Sequence, residues 1–291
     1  MPASPARILI TGASGQLGRL VVHALLQTIE PARIVAAVRD TAKAGDLAAL
    51  GIEVRRADYT KPETLDAAFV GIDRLLLISS SEVGQRLPQH RNVIDAAKRA
   101  GVKLLAYTSL LHADSSPLGL AEEHRQTEAA IRASGLPFAL LRNGWYSENY
   151  AASIPSALQH GAHIGSAAEG RIASAARADY AAAAAAVLSA ESVSDSRIYE
   201  LAGDDAYTLT QFAAEITKQS GRTVIYQDMP EAAFRTALTG AGLPEAIAQL
   251  LADSDAGAAR GGLFDDSHQL STLIGRPTTP LAATVAQALQ N

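Results

Sequence analysis

Three glycines, Gly12, Gly15 and Gly18, stand in the segment Thr11-Gly12-Ala13-Ser14-Gly15-Gln16-Leu17-Gly18, between a short apolar run and an apolar-periodic stretch. Strand, glycine turn and helix in that order make a cradle for a diphosphate. Gly12 turns tightly, Gly15 lets the backbone approach the anion, Gly18 lets the helix pack closely on the strand, and the helix N-terminus carries partial positive charge. Gly12, Ala13, Ser14, Gly15, Gln16, Leu17 and Gly18 are therefore the expected dinucleotide-binding turn. A plain tight turn is the alternative, and its position at the very start of a βαβ unit argues against it.

The residues closing the second apolar run, Ala36-Ala37-Val38-Arg39-Asp40, bear on which dinucleotide it is. An acidic side chain there bonds the ribose hydroxyls of NAD, whereas an arginine receives the 2'-phosphate of NADP. Arg39 points to NADPH, and Asp40 leaves room for NADH. Lys43 reads as a surface lysine. Asp58 is placed either to bond the adenine amino group or to cap the approach to a helix. Ser79, Ser80 and Ser81, with Glu82 behind them, follow the fourth run, where ligands of open α/β sheets collect, and are expected to line the ribose. Tyr107, Thr108 and Ser109 offer hydroxyls at the end of the fifth.

Short apolar runs at Arg7 to Ile10, Ile34 to Val38, Glu53 to Arg55, Leu75 to Ile78, Leu104 to Tyr107 and Phe138 to Leu141 read as strands. Nearly continuous apolar character in several of them suits a parallel sheet covered on both faces. Between them, Thr60 with Glu63 has the spacing of a capping box, opening a helix that runs to about Phe69 and is stopped by Gly71. Arg91 to Ala100 closes at Gly101, and Glu122 to Ala133 at Gly135. After Trp145 the alternation weakens. Asp179 is placed to cap an alanine-rich helix, Ile198 to Ala202 reads as a late strand, and Gly257 to Gly262 as a mobile loop or a turn. The expected fold is α/β, a doubly wound parallel sheet (Rossmann-like) with a smaller, mainly helical C-terminal lobe. The dinucleotide-binding domain takes 1–150 and resumes at about 170–203, and the substrate-side lobe takes 151–169 and 204–291.

Composition sets the outer limits. A chain of 291 residues, 48% hydrophobic and 19% charged, has material for one large domain or two unequal ones. A formal charge of -5 with no basic run disfavours nucleic acid as a partner. No cysteine is present, so disulfides, thiolate metal sites and a cysteine nucleophile are excluded. The start lacks a secretory signal pattern, and the longest uncharged alanine-rich stretch is too short to span a bilayer. A cytoplasmic setting without membrane insertion is expected; the oligomeric state stays open.

Thr11 to Leu17, Leu75 to Arg86, Ala106 to Gly119, Leu141 to Tyr150 and Gly261 to Asp266 together resemble the NmrA-like, atypical short-chain dehydrogenase group, and within it a quinone-reducing bacterial subgroup. The resemblance implies reduction of a small-molecule quinone with NADPH and without flavin. One departure from the wider short-chain dehydrogenases bears on mechanism. Their Tyr and Lys, four residues apart on the helix after the fifth strand, correspond here to Leu120 and His124. Without that dyad, reduction of an ordinary ketone is disfavoured, whereas a quinone yields a stabilised phenolate.

For the catalytic face, Asn143 is placed to bond the carboxamide or a quinone oxygen. Trp145 and Tyr146 either stack on a flat ring or pack. His124 either donates a proton to the reduced quinone or is a satisfied helix histidine beside Glu123 and Glu128. His90 and His112 have no partner at metal-ligand spacing, so no metal is expected. Ser109 lies in no nucleophile elbow. The competing reading is a non-catalytic NADP(H)-binding redox sensor of the NmrA type, which the missing dyad permits. A sugar-nucleotide epimerase or isoflavone-type reductase shares the fold but needs a Tyr or Lys absent here.

Overall fold

The runs Ile8–Thr11, Ile34–Val38, Arg74–Leu77, Leu104–Leu110 and Phe138–Asn143 are buried along almost their whole length, and these assemble the centre of the sheet. The computed structural model describes residues 5–191 and 196–290. Its strands are β1 Ile8–Thr11, β2 Ile34–Val38, β3 Glu53–Arg56, β4 Arg74–Leu77, β5 Leu104–Leu110, β6 Phe138–Asn143, β7 Ala162–Gly165, β8 Arg197–Leu201 and β9 Ile225–Asp228. The seven-stranded sheet has the order β3-β2-β1-β4-β5-β6-β8, a doubly wound arrangement whose order reverses between β1 and β4. Pairing from β3 through β5 is parallel, with Ile8 opposite both Ile34 and Arg74.

The crossovers use α1 Gln16–Leu25, α2 Gly45–Ala48, α3 Pro62–Ala68, α4 Arg86–Arg99 and α5 Ala121–Ser134. Alternate strand residues Leu9, Val35, Ala37, Leu75, Leu77, Leu105 and Leu140 pack with Leu65 and Phe69, with Val93 and Ala97, and with Ile131 in one buried cluster. The period of two places the intervening Ile8, Ile10, Ala36, Leu76 and Ala106 on the opposite face, where they are buried as well. Gly71, Gly101 and Gly135 take positive φ beyond α3, α4 and α5, as the stop signals require.

Two punctuation signals act differently from their sequence reading. Thr60 forms no capping box: α3 begins at Pro62 behind Lys61, and the Thr60 hydroxyl instead donates to Asp58 at 2.8 Å. Asp179 is not a cap either. It lies inside the first turn of α8 Arg177–Ser189, where its carboxylate accepts from the Thr279 amide and pairs with Arg276 at 2.7 Å.

Backbone contacts divide the chain into two units: 1–110, 122–142 and 180–199 form the first, and 111–121, 143–179 and 200–291 the second. The second unit holds α6 Ser147–Ala151, α7 Ile154–His160, α9 Leu209–Ser220, α10 Glu231–Gly240, α11 Glu245–Ala259, α12 Gln269–Ile274 and α13 Leu281–Ala288. It also contains a two-stranded parallel sheet of β7 and β9 that the sequence pattern did not announce. The glycine-rich segment is not a free loop. Gly257 lies within α11, and a Cβ there would meet Leu118 Cδ1 at 2.9 Å, so close packing is its reason. No described helix is long and apolar enough to cross a membrane.

Candidate dinucleotide site

β1 delivers the chain into Gly12 at φ +59°, a conformation that glycine adopts without strain. The turn closes on itself: Gly15 donates its amide to the Gly12 carbonyl at 3.0 Å, and Ala13 donates to Ala37 at 3.2 Å. Those two amides are therefore committed to the protein, and the buried Ala13 and Leu17 side chains pack rather than face a ligand. The amides of Gln16, Leu17 and Gly18 lie in the first turn of α1, which has no intrahelical acceptors for them. Its N-cap, Gly15, brings no side-chain acceptor, and no acidic residue stands in that turn. The positive end of the helix is left for an external anion.

Beside this turn, at the order reversal, lies a cavity of about 260 Å³ lined by Gly12, Ser14, Gly15, Arg39, Asp58, Tyr59, Ser79, Ser80, Ser81 and Glu82, among others. Arg39 reaches it with an exposed guanidinium 3.1 Å from Glu82 Oε1. Asp40 turns away, accepting from the Ala42 amide in the next turn, and Lys43 is an exposed partner of Asp40 at 3.8 Å. Asp58 lines the cavity with one oxygen held by the Thr60 amide and hydroxyl. Partial burial raises its carboxyl pKa, and the bonds from Thr60 together with the Lys61 and Arg39 charges outweigh that effect and leave it below the ordinary value.

The floor is a polar weave that sequence reasoning missed. Thr11 Oγ1 accepts from the Ile78 amide and lies within hydrogen-bond reach of the Leu76 carbonyl and the Tyr59 hydroxyl, which in turn reaches the Ile78 carbonyl at 2.8 Å. Its one legible signal was the position of Tyr59 beside Asp58 at a strand end. The Ser80 amide donates to His90 Nε2 at 3.0 Å, which fixes the proton on Nδ1, facing Thr127 Oγ1 at 2.9 Å. The Ser79 hydroxyl is buried without a hydrogen-bonding partner among the described residues. Two of these features fit a dinucleotide: an open helix end for the diphosphate and a cation for a further phosphate.

The hydroxyls of Tyr107, Thr108 and Ser109 on β5 are not among those lining this cavity; each is engaged within the protein. Thr108 Oγ1 accepts from the Ser79 amide at 2.8 Å and so holds the loop that lines it. Ser109 donates to Glu128 at 2.6 Å, and the Tyr107 hydroxyl bonds His124 Nδ1 at 2.8 Å, both inside the first unit. His124 is buried and its pKa is pushed down to about 3 by burial and by the Arg86 charge. It is neutral at physiological pH, a helix histidine whose Nδ1 is occupied by Tyr107.

In the second unit, Asn143 is buried with Oδ1 unpartnered among the described residues, and its side chain bonds Tyr146. Trp145 is buried and tilts against Tyr150 at 6.3 Å, a packing role, while half-buried Tyr146 carries Arg177 over its ring at 4.6 Å.

Four buried groups make a prediction about acid stability. His90 and His124 are pushed to about 3 and His163 to about 4, chiefly by burial, so each is neutral when folded and takes up a proton on unfolding. Their stabilisation is full above the ordinary histidine value and is lost as pH falls toward 3 to 4. Asp255, raised to about 6 by burial, acts oppositely, because the folded form holds the proton first. The sum is a loss of roughly 2 kcal/mol between about pH 7 and about pH 6. Urea denaturation at the two values checks it, and an unchanged midpoint would contradict it.

The sequence model of the NmrA-like family matches residues 4–280. The chain belongs to the NmrA-like family. Quinone oxidoreductase 2 of Escherichia coli strain K12 is 62% identical to this NmrA-like chain over 279 residues, covering 96% of the chain and 97% of the relative. The crystal structure of the NADPH-dependent quinone oxidoreductase from E. coli complexed with NADPH superposes with a TM-score of 0.95 at 62% identity, over 98% of this chain and 100% of that one. Triphenylmethane reductase of Citrobacter sp. gives 0.93 at 36% identity, again over 98% and 100%.

Proposed function

We propose that this NmrA-like chain is an NADPH-dependent quinone oxidoreductase that passes two electrons to its acceptor together. The observation that carries the reading is the open N-terminus of α1 beside a cavity entered by Arg39. The near-full-length identity to an E. coli quinone oxidoreductase supports it.

Bound there, NADPH supplies a hydride to an electron-poor ring. The first-turn amides of α1 hold the diphosphate, Arg39 meets the 2'-phosphate, and Ser79 to Ser81 meet the ribose. The segment opening α5 brings Leu120 and a neutral His124 where related enzymes use an ionisable pair, so an aliphatic ketone finds no acid at its oxygen. A quinone needs less help, since its reduced oxygen is a stabilised phenolate that solvent protonates.

The test is loss of NADPH absorbance on adding benzoquinone to purified protein without flavin. Turnover with the quinone and none with an aliphatic ketone is expected. No turnover across several quinones would overturn the proposal.

A further inference from the structure

The Arg39 guanidinium, which the cofactor's extra phosphate would need, already has a partner. Its Nη1 stands 3.1 Å from Glu82 Oε1. That carboxylate is anchored: its other oxygen accepts from the buried Gln89 at 2.7 Å, and its own amide donates to Ser80 Oγ at 3.2 Å. Arg39 is the one cation among the described residues lining the cavity, against two carboxylates, Asp58 and Glu82. Asp58 is held by Thr60, so its orientation is fixed within its own turn. Glu82 is the carboxylate in direct contact with Arg39, whose charge also acts on Asp58. A lining with one more acid than base tolerates a ribose hydroxyl and opposes a dianionic phosphate.

We infer that Glu82 is a counter-ion that Arg39 exchanges for the 2'-phosphate, so that this carboxylate limits the preference for NADPH over NADH. The inference rests on the proposed use of NADPH. Both side chains of the pair are substantially exposed, at 72% and 47%, which keeps the exchange small. Removing the acid tightens NADPH by about two- to fivefold, the range of an exposed pair.

Calorimetry on the full-length protein compares wild type, Glu82→Gln, Arg39→Gln and the double variant with NADPH and NADH, with circular dichroism confirming that each is folded. Glu82→Gln should bind NADPH two- to fivefold more tightly and NADH unchanged, with the gain absent in the Arg39→Gln background and reduced at high salt; Glu82→Ala should repeat it. Unchanged or weaker NADPH binding, an equal gain for NADH, or a gain that survives loss of Arg39 overturns the exchange while leaving NADPH use intact. A wild type that binds neither nucleotide removes the cofactor reading and the exchange with it.

Discussion

Gly18→Ala should reduce NADPH affinity by about 100-fold or more, the loss expected when one or two charge-assisted hydrogen bonds are broken. The added Cβ would lie 2.4 Å from the Gly12 carbonyl oxygen and 2.6 Å from Ala13 Cα, both backbone atoms that no rotamer change can move aside. α1 must therefore shift away from the turn, and the amides of Gln16 to Gly18 move out of reach of the diphosphate. Gly45→Ala is the control, because nothing lies within 4 Å of the atom it adds. Titration with NADPH and thermal melting measure both variants. Near wild-type affinity in Gly18→Ala would show that the helix end is not the phosphate seat.

The second large effect concerns stability and lies away from the cavity. Glu128 and Arg142 are each 4% exposed; Arg142 Nη2 lies 2.6 Å and Nε 2.9 Å from the Glu128 oxygens, and Ser109 donates to the same carboxylate. Desolvation offsets most of the attraction within such a pair, but removing one partner leaves a buried charge alone. Glu128→Ala should therefore cost about 3–5 kcal/mol, and Arg142→Ala a similar amount. Replacing both with apolar residues of similar size should recover most of the loss. Denaturant titration distinguishes the cases, and a Glu128→Ala midpoint matching wild type would refute the account. The neighbouring Arg132, 43% exposed and 3.5 Å from Glu128, should matter far less.

Much of the first unit was legible because its strands are apolar on both faces and its helices end at glycines that adopt positive φ, two signals independent of distant contacts. The cradle was legible for the same reason: Gly12, Gly15 and Gly18 answer local demands. What escaped depended on partners far along the chain. Thr60 and Glu63 have capping-box spacing, yet Asp58 captures the Thr60 hydroxyl. Tyr107, Thr108 and Ser109 lie within β5, which runs on to Leu110, and alternation sends Tyr107 to the face of Leu105 and Thr108 toward the Ser79 loop. The four-residue strands β7 and β9 carry too few apolar positions for their pattern to stand out, with Ile225 60% exposed. Glu82 was visible in sequence as a loop acid, but its pairing with Arg39 spans 43 positions.

The division of the chain into two units has an architectural consequence. The polypeptide changes unit after residues 110, 121, 142, 179 and 199. Neither unit is a contiguous stretch that recombination could lift out and graft onto another scaffold, and a single proteolytic nick at any one boundary releases no intact half.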